Sequence, residues 1–505
     1  MLRHLPTLKR ATAPDPIWED LFGDVGKFRW SVVAFLALCL MLGGVLRFAN
    51  LGGESIWYDE ACSMRMAAAP AAGILAGSPF DPGNPPGYFL LLHAWCDIFG
   101  HDIVSARMLS AFAGTLLCIP IWLLCMSVSW DRRIATIATS LAVVNPALIF
   151  LSREARTFSI CALLITILAY VAIRLVRRER IVDWVAFMLC GNALVFCHYY
   201  NLFLMVIVSL PVIVGRRRHL AQTLPALGAV ATAILVPFAL WLPVFVRQLS
   251  AWSAPDVPWW KHAVYFPVYV VGGRTFVWKQ DGLPAMGLAW VAVCTLILVP
   301  VIWGLRRSPK SIGIPLAIGV GMPAFAVMMS VLKDPMLNCR YLSPVIPCLI
   351  VAATISIWWL SRTTRWVGVM ALGTSLLIAA TSLPRMYGET HKDDWRGVAQ
   401  YVQANGRDHA VVFKSDIGVI PFRYYLPEQT MLALKMDFDQ SLDNPRMRQY
   451  EAQMRAMGDF YVAHWVAFPE ENIPPVQRWL SQRFERVEAK QFRGILLERY
   501  RPADL

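Results

Sequence analysis

The chain has 505 residues, 57% of them hydrophobic and 16% charged, with a formal net charge of +13. Soluble domains run nearer about 45–50% apolar and about 25% charged, which excludes one large water-soluble core as the main architecture. Nucleic acid is excluded as the reason for the charge, because the basic residues gather in short loops between apolar runs, where the positive-inside rule puts them.

Residues Met1 to Arg29 are polar and basic, and Arg3, Lys9, Arg10, Lys27 and Arg29 hold the N-terminus on the cytoplasmic side. The first apolar run, Trp30–Phe48, is too long for a signal-peptide core and lacks a small-residue cleavage site, so it reads as an uncleaved anchor. Ten more apolar runs follow: Arg107–Trp130, Ile134–Phe150, Phe158–Leu175, Ile181–Phe196, Asn201–Val214, Leu224–Val246, Pro284–Gly304, Ile312–Leu332, Tyr341–Leu360 and Trp366–Leu383. Most are near the ~20 residues a spanning helix needs, and Ile181–Phe196 and Asn201–Val214 are short for one. Between them lie Arg132-Arg133, Arg177 to Arg180, Arg216 to Arg218, Arg306-Arg307 with Lys310, and Arg362 with Arg365. All five basic clusters fall on the cytoplasmic side if every run crosses, and the C-terminus then lies outside.

Two segments test that scheme. Pro86 to Gly100 is apolar but short, and a crossing there would move every later basic cluster outside, so we read it as an interfacial or re-entrant helix on the outer face. Ile181 to Val214 is split at His198-Tyr199-Tyr200 into a hairpin, because a single helix would set two basic clusters on opposite sides. The large outer regions are then Asn50 to Ala106, Arg247 to Leu283 (with Trp252, Pro255, Pro258, Trp259 and Trp260, an interface-belt composition), and the tail. Most of the eleven cysteines sit inside apolar runs as small hydrophobes, and a disulfide among Cys62, Cys96 and Cys339 stays open.

The tail changes character. Asp394 to Asn405 is amphipathic, His409 to Phe413 and Asp459 to Trp465 read as strands, Asn444 to Met457 and Pro474 to Phe484 as helices, and Arg486 to Tyr500 as a hairpin. The expected fold class is therefore an α-helical multi-pass membrane protein with about 11 transmembrane helices, residues 1–384, followed by a small α/β extracytoplasmic domain, residues 385–505.

The outer-face residues carry the chemistry. Asp59-Glu60 follows the first span, and a carboxylate pair there reads either as a raised-pKa base for an acceptor hydroxyl or as a helix N-terminus served by its dipole. Asn84 to Tyr88, with a double proline, reads as a cleft lining or as a plain helix start. Arg153, Glu154 and Arg156 sit at the outer end of a span, where basic residues are disfavoured, and arginine suits phosphate; an ion pair within the set is the other reading. His198 and Tyr199 occupy the hairpin tip as substrate contacts or interface aromatics, and His262 is a lone histidine, a ligand or a sugar contact. Arg340 with Tyr341 opens a span, where the dipole opposes a cation unless an anion binds or Asp334 pairs with it.

In order along the chain stand Trp57-Tyr58-Asp59-Glu60-Ala61, Asn84-Pro85-Pro86-Gly87-Tyr88, Ser105-Ala106-Arg107-Met108-Leu109-Ser110, Ser152-Arg153-Glu154-Ala155-Arg156, His198-Tyr199, Arg340-Tyr341-Leu342-Ser343-Pro344 and Asp394-Trp395-Arg396-Gly397. This ordered set resembles the bacterial branch of the GT-C glycosyltransferases, the superfamily of protein O-mannosyltransferases and the lipid A aminoarabinose transferase. The resemblance covers roughly Trp30 to Gly397. It implies an inverting enzyme of the bacterial plasma membrane that uses a polyprenyl-phosphate-linked sugar donor, a hydroxyl acceptor and surrounding membrane lipid, with the tail domain periplasmic. By motif, Asp59 corresponds to the catalytic acid group with Glu60 its partner, and Arg153, Arg156 and Arg340 would meet the leaving phosphate. A divalent metal ion would serve the same end, yet Gly83 and Asn84 stand where the aminoarabinose enzyme has Glu-Lys, so metal binding stays open. The competing class is a multispan lipid or sugar transporter, disfavoured by charges at the rim rather than mid-span and by the lack of an internal repeat.

Overall fold

The computed structural model describes residues 30–77, 84–178, 180–251, 259–273, 292–332, 338–406, 408–414, 416–434, 445–466 and 473–502. The chain forms two compact units: one of residues Met1–Ala49, Pro70–Gly100 and Ser105–Gly388, the other of Asn50–Ala69, His101–Val104 and Glu389–Leu505.

The first unit is helical. Seven described helices are long and apolar enough to cross a membrane: Trp30–Phe48, Ile103–Ser129, Phe158–Arg177, Arg217–Ser250, Lys310–Leu332, Cys339–Ser361 and Arg365–Gly388. Arg132–Val144 and Pro146–Ser152 make an eighth if counted together, bent by 55°. The bend has a local cause: Pro146 cannot continue the hydrogen-bond ladder, and Asn145, in extended conformation, caps the second helix by accepting the Leu148 N–H at 2.9 Å. Ile181–Cys197, Asn201–Gly215 and Thr295–Leu305 are shorter apolar helices. Every run expected to span thus falls on an apolar helix; residues 284–291 of one of them lie outside the described set, as do the N-terminal 29 residues, Trp252, Pro255, Pro258 and Asp334. The chain is a multi-pass membrane protein. The helices Ile103–Ser129, Phe158–Arg177 and Cys339–Ser361 are the most enclosed, about two thirds or more buried, whereas Leu240, Val369 and Leu377 on peripheral helices face outward, as lipid contact requires.

Side chains tie the basic loops together at one end of this bundle. Arg177 lies over the Trp130 ring at 4.8 Å. Arg216 Nη1 donates to the Leu175 carbonyl and its Nε to Thr223 Oγ1, both at 2.9 Å. Ser311 Oγ donates to the Val128 carbonyl at 3.1 Å, and Arg307 donates to Thr363 Oγ1. Because Arg216 meets Leu175, the segment between them must go out and return, so the hairpin at His198 is the arrangement found. Asp183, buried, forms an ion pair with Arg174, Oδ1 to Nε 2.9 Å, at the foot of that hairpin. The cysteines Cys62, Cys96 and Cys339 are all buried free thiols, so none is cross-linked.

The second unit centres on a five-stranded sheet of order β2-β1-β3-β5-β4, with β1 Ala410–Phe413, β2 Met431–Ala433, β3 Phe460–His464, β4 Phe484–Phe492 and β5 Ile495–Pro502. β1 pairs parallel with β2 and β3, whereas β3–β5 and β4–β5 are antiparallel. β3 is buried throughout, and both faces of the sheet carry cores: Trp395, Val398, Val402 and Phe422 on one, Met447, Met454, Val476, Trp479 and Leu480 on the other. The edge strand β4 is mostly exposed and charged, which protects it from pairing with other chains. Helix Asp416–Tyr425 and strand β2 were not anticipated, since Pro421 and a three-residue strand leave little periodicity to read.

Candidate functional site

In the helical unit the candidate phosphate-binding residues begin at the turn between Ser152 and Phe158. Thr157 Oγ1 donates to the Cys197 carbonyl at 3.3 Å and Ser110 Oγ to the Arg156 carbonyl at 3.1 Å, which hold that turn on its neighbours. Arg156 is 4% exposed and Glu154 1%. Arg340 reaches the same place from the short helix Cys339–Leu342, capped by Asn338, and its Nη2 pairs with Glu154 Oε2 at 3.1 Å. This is the ion-pair reading of Arg340, with Glu154 as partner. Both guanidinium carbons stand over one ring, Phe158, at 5.4 Å for Arg340 and 5.9 Å for Arg156. Two buried or half-buried cations therefore share one ring, and one of them, Arg340, also pairs with the buried Glu154.

His198 completes the cluster. Its ring lies 6.2 Å from Phe158, 5.3 Å from Tyr341 and 5.0 Å from Tyr200, while Tyr341 stands 6.1 Å from Phe158. Burial, and then the positive charge of Arg156, push the imidazole pKa down to about 3. The Tyr200 N–H donates to Nδ1 at 3.2 Å, so the neutral ring carries its proton on Nε2, a donor. Burial also raises the Tyr200 hydroxyl, helped by Tyr341. The set is thus a pocket wall of donors and cations, suited to an anion with several oxygens.

Other expected members are placed elsewhere. Arg153 turns to the Ala49 carbonyl and lies over the Tyr387 ring at 4.7 Å, so it does not stand with Arg156 over Phe158. Tyr199 faces helix Leu220–Ala251: its hydroxyl donates to Gln248, accepts from Trp241 Nε1 at 2.8 Å, and its ring packs 4.7 Å from Phe245. His262 is buried, which lowers its pKa, and its carbonyl accepts the Cys339 thiol at 3.3 Å, beside Arg340 in sequence. Asn84 and Tyr88 are buried at the start of helix Pro86–Phe99. Gly87 explains the motif there: a Cβ would stand 2.5 Å from the Phe196 carbonyl oxygen, so only glycine lets this helix abut the hairpin tip. Nothing local marks Phe158 as the shared ring, because it reads as the first residue of a span.

In the second unit, helix Tyr58–Ala67 follows an extended Trp57 and carries Asp59 and Glu60 in its first turn, where the dipole favours them. Glu60 is fully buried in an ion pair with Lys392 Nζ at 2.9 Å, whose side chain is only 2% exposed. Asp59, one residue earlier, is half-buried, and its carbonyl accepts the Ser63 hydroxyl at 3.0 Å. Glu60 therefore ties the helix to Lys392. The loop before this helix is gripped by the tail: Arg396 Nη2 donates to the Gly52 and Glu54 carbonyls at 2.9 and 3.0 Å, and Tyr425 Oη accepts the Ile56 N–H at 2.8 Å. Among the described residues no group of three or more His, Cys, Asp or Glu side chains is arranged to hold a metal ion.

Residues 83–241 match the model of a family described as dolichyl-phosphate-mannose-protein mannosyltransferase. No curated protein matches the chain. Among solved structures, ArnT from Cupriavidus metallidurans in the apo state superposes with a TM-score of 0.57 at 13% identity, covering 93% of this chain and 98% of that one. The same protein bound to undecaprenyl phosphate gives 0.54 at 14% identity, again over 93% and 98%. The archaeal oligosaccharyltransferase AglB from Archaeoglobus fulgidus, in complex with an inhibitory peptide and a dolichol-phosphate, gives 0.50 at 12% identity over 94% of this chain and 74% of that one. The chain has the GT-C fold, as its ordered motifs led us to expect.

Proposed function

We propose that the chain is an inverting glycosyltransferase that moves a sugar from a polyprenyl-phosphate carrier to a hydroxyl acceptor at the outer face of a bacterial plasma membrane. The observation that carries this is the cluster on Phe158, where the Arg156 and Arg340 guanidiniums share one ring, Arg340 pairs with Glu154, and a neutral His198 stands beside them. Guanidiniums gathered in this way suit the oxygens of a phosphate. The GT-C fold over nearly the whole chain, and neighbours solved with undecaprenyl phosphate and dolichol-phosphate, support the class of donor.

In this reading the acceptor hydroxyl attacks the anomeric carbon in line with the departing phosphate. Asp59 takes the hydroxyl proton as the new glycosidic bond forms. The bond from the anomeric carbon to the phosphate oxygen breaks, and Arg156 and Arg340 stabilise the charge that collects on polyprenyl phosphate. Glu60 acts at one remove, by holding the helix of Asp59. The donor set for a divalent ion is not assembled among the described residues, so no step is assigned to one. With the five basic clusters cytoplasmic, the opposite end of the bundle and the tail domain lie outside.

The test is a reconstituted assay with radiolabelled polyprenyl-phosphate sugars, scoring donor consumption and label transfer. Asp59→Asn should abolish transfer in a folded protein, and Arg156→Gln with Arg340→Gln should weaken donor binding. Full activity of Asp59→Asn removes the base. Label crossing the bilayer with no glycosidic bond formed would establish the transporter reading instead.

A further inference from the structure

The helical unit contains a cavity of about 900 Å³ walled by helices Arg132–Val144, Trp259–Gly272, Gly313–Leu332, Ile346–Ser361 and Arg365–Gly388. Its walls are aliphatic, with Val320, Leu349, Ala353 and Leu372 typical, and among the described residues the charged side chains that line it are Arg362 and Arg365, both exposed at one end. Arg307, bonded to Thr363, adds a third cation at that rim, and Arg362 lies 4.3 Å over the Trp359 ring. Along the last helix the lining runs from Arg365 to Ala379, roughly 21 Å at the helical rise. That is somewhat more than one leaflet of a bilayer whose hydrocarbon core is about 30 Å thick.

We propose that this cavity is a binding site for a resident phospholipid with an anionic headgroup, its phosphate on Arg362 and Arg365 and an acyl chain along the cavity. An apolar cleft of this size in a membrane helix bundle suits lipid chains, and the charge at its mouth selects the headgroup. The site is distinct from the arginine cluster proposed for the sugar carrier. Arg340 and Arg362 lie at opposite ends of helix Cys339–Ser361, roughly 30 Å apart by the rise per residue. The proposal does not rest on the transfer reaction.

Native mass spectrometry of the full chain tests it, after exchange into detergent with equal amounts of dioleoyl phosphatidylglycerol and dioleoyl phosphatidylcholine. Wild type should retain one phosphatidylglycerol in preference to phosphatidylcholine by about thirtyfold, the effect of two arginines beside an anionic lipid. Arg362→Gln with Arg365→Gln should lose most of that preference, and Ala353→Phe, which fills the cavity, should lose the retained lipid of either kind. Equal retention of the two lipids by wild type overturns the proposal, as does retention unchanged in both variants. One-for-one displacement of the phosphatidylglycerol by undecaprenyl phosphate would also overturn it, since the cavity would then belong to the carrier. The wild-type preference decides the matter even if a variant fails to fold.

Discussion

Lys392→Met separates the two roles assigned to the outer carboxylates. Lys392 and Glu60 are 2% and 0% exposed and 2.9 Å apart. Removing one member of such a pair leaves the other as a buried, unbalanced charge, at a cost of about 3–5 kcal/mol. At about 1.4 kcal/mol per tenfold, local opening of helix Tyr58–Ala67 should become about 100 to 4,000 times more frequent. Hydrogen exchange read by mass spectrometry on peptides from that helix measures the opening directly. The double variant Glu60→Gln, Lys392→Met should recover most of the protection, because no charge is then stranded. In the transfer assay the single variant should lose turnover with donor binding little changed, since the arginine cluster is not touched. Protection within tenfold of wild type in Lys392→Met would refute the reasoning, as would a double variant no better than the single one.

Three further outcomes are expected. Gly87→Ala should lower thermal stability by about 1–3 kcal/mol, the usual cost of overpacking, because its Cβ would stand 2.5 Å from the Phe196 carbonyl oxygen; an unchanged unfolding temperature contradicts this. His198, with its pKa lowered to about 3, is neutral in the folded state while an unfolded histidine titrates near 6.5; the folded state is therefore not penalised above about 6.5 and loses stability as pH falls from there towards 3. Imidazole nitrogen shifts should show no protonation between pH 5 and 8, and Arg156→Gln should raise the pKa. Glu498 is held at about 2 by its hydrogen bonds and charge pairing with His464 and by bonds from Tyr500 and Arg486, which together outweigh burial. Its contribution to the sheet domain is therefore present above about 4.5 and lost as pH falls towards 2, and Glu498→Gln should flatten acid unfolding over that range.

Charge placement made the membrane architecture legible. Arg177, Arg216, Arg307 and Ser311 meet neighbouring loops at one end of the bundle, as a rule about loop charge requires. The start of helix Trp395–Asn405 was legible at its cap, Asp394, whereas the break at Asn145-Pro146 fell inside a run read as one span, Ile134–Phe150. The pairing of side chains was not. Glu154 sits 186 residues from Arg340, and Glu60 sits 332 from Lys392, and nothing local announces a partner at that separation. Adjacent residues on a helix point about 100° apart, so Glu60 is buried while Asp59 is half-buried. Arg153 and Arg156, three apart, leave a turn rather than a helix, and they go to different rings.

The Asp394-Trp395-Arg396-Gly397 motif is held for positional reasons. Asp394 caps helix Trp395–Asn405 by accepting the Gly397 N–H at 2.9 Å, and a side chain at Gly397 would collide with that carboxylate. Trp395 is wholly buried in the sheet core, so it anchors the helix. Arg396, with that helix fixed behind it, donates to the carbonyls of Gly52 and Glu54, and its backbone N–H donates to Ser55 Oγ at 3.1 Å. Each residue needs the one before it, and the last link sets where the chain enters helix Tyr58–Ala67 and hence where Asp59 stands. The tail domain is by this chain of contacts the support of the proposed base. It follows that Arg396→Ala should impair transfer while leaving the cluster of Arg156 and Arg340 able to bind polyprenyl phosphate; loss of both together would mean that the motif does no more than keep the protein folded.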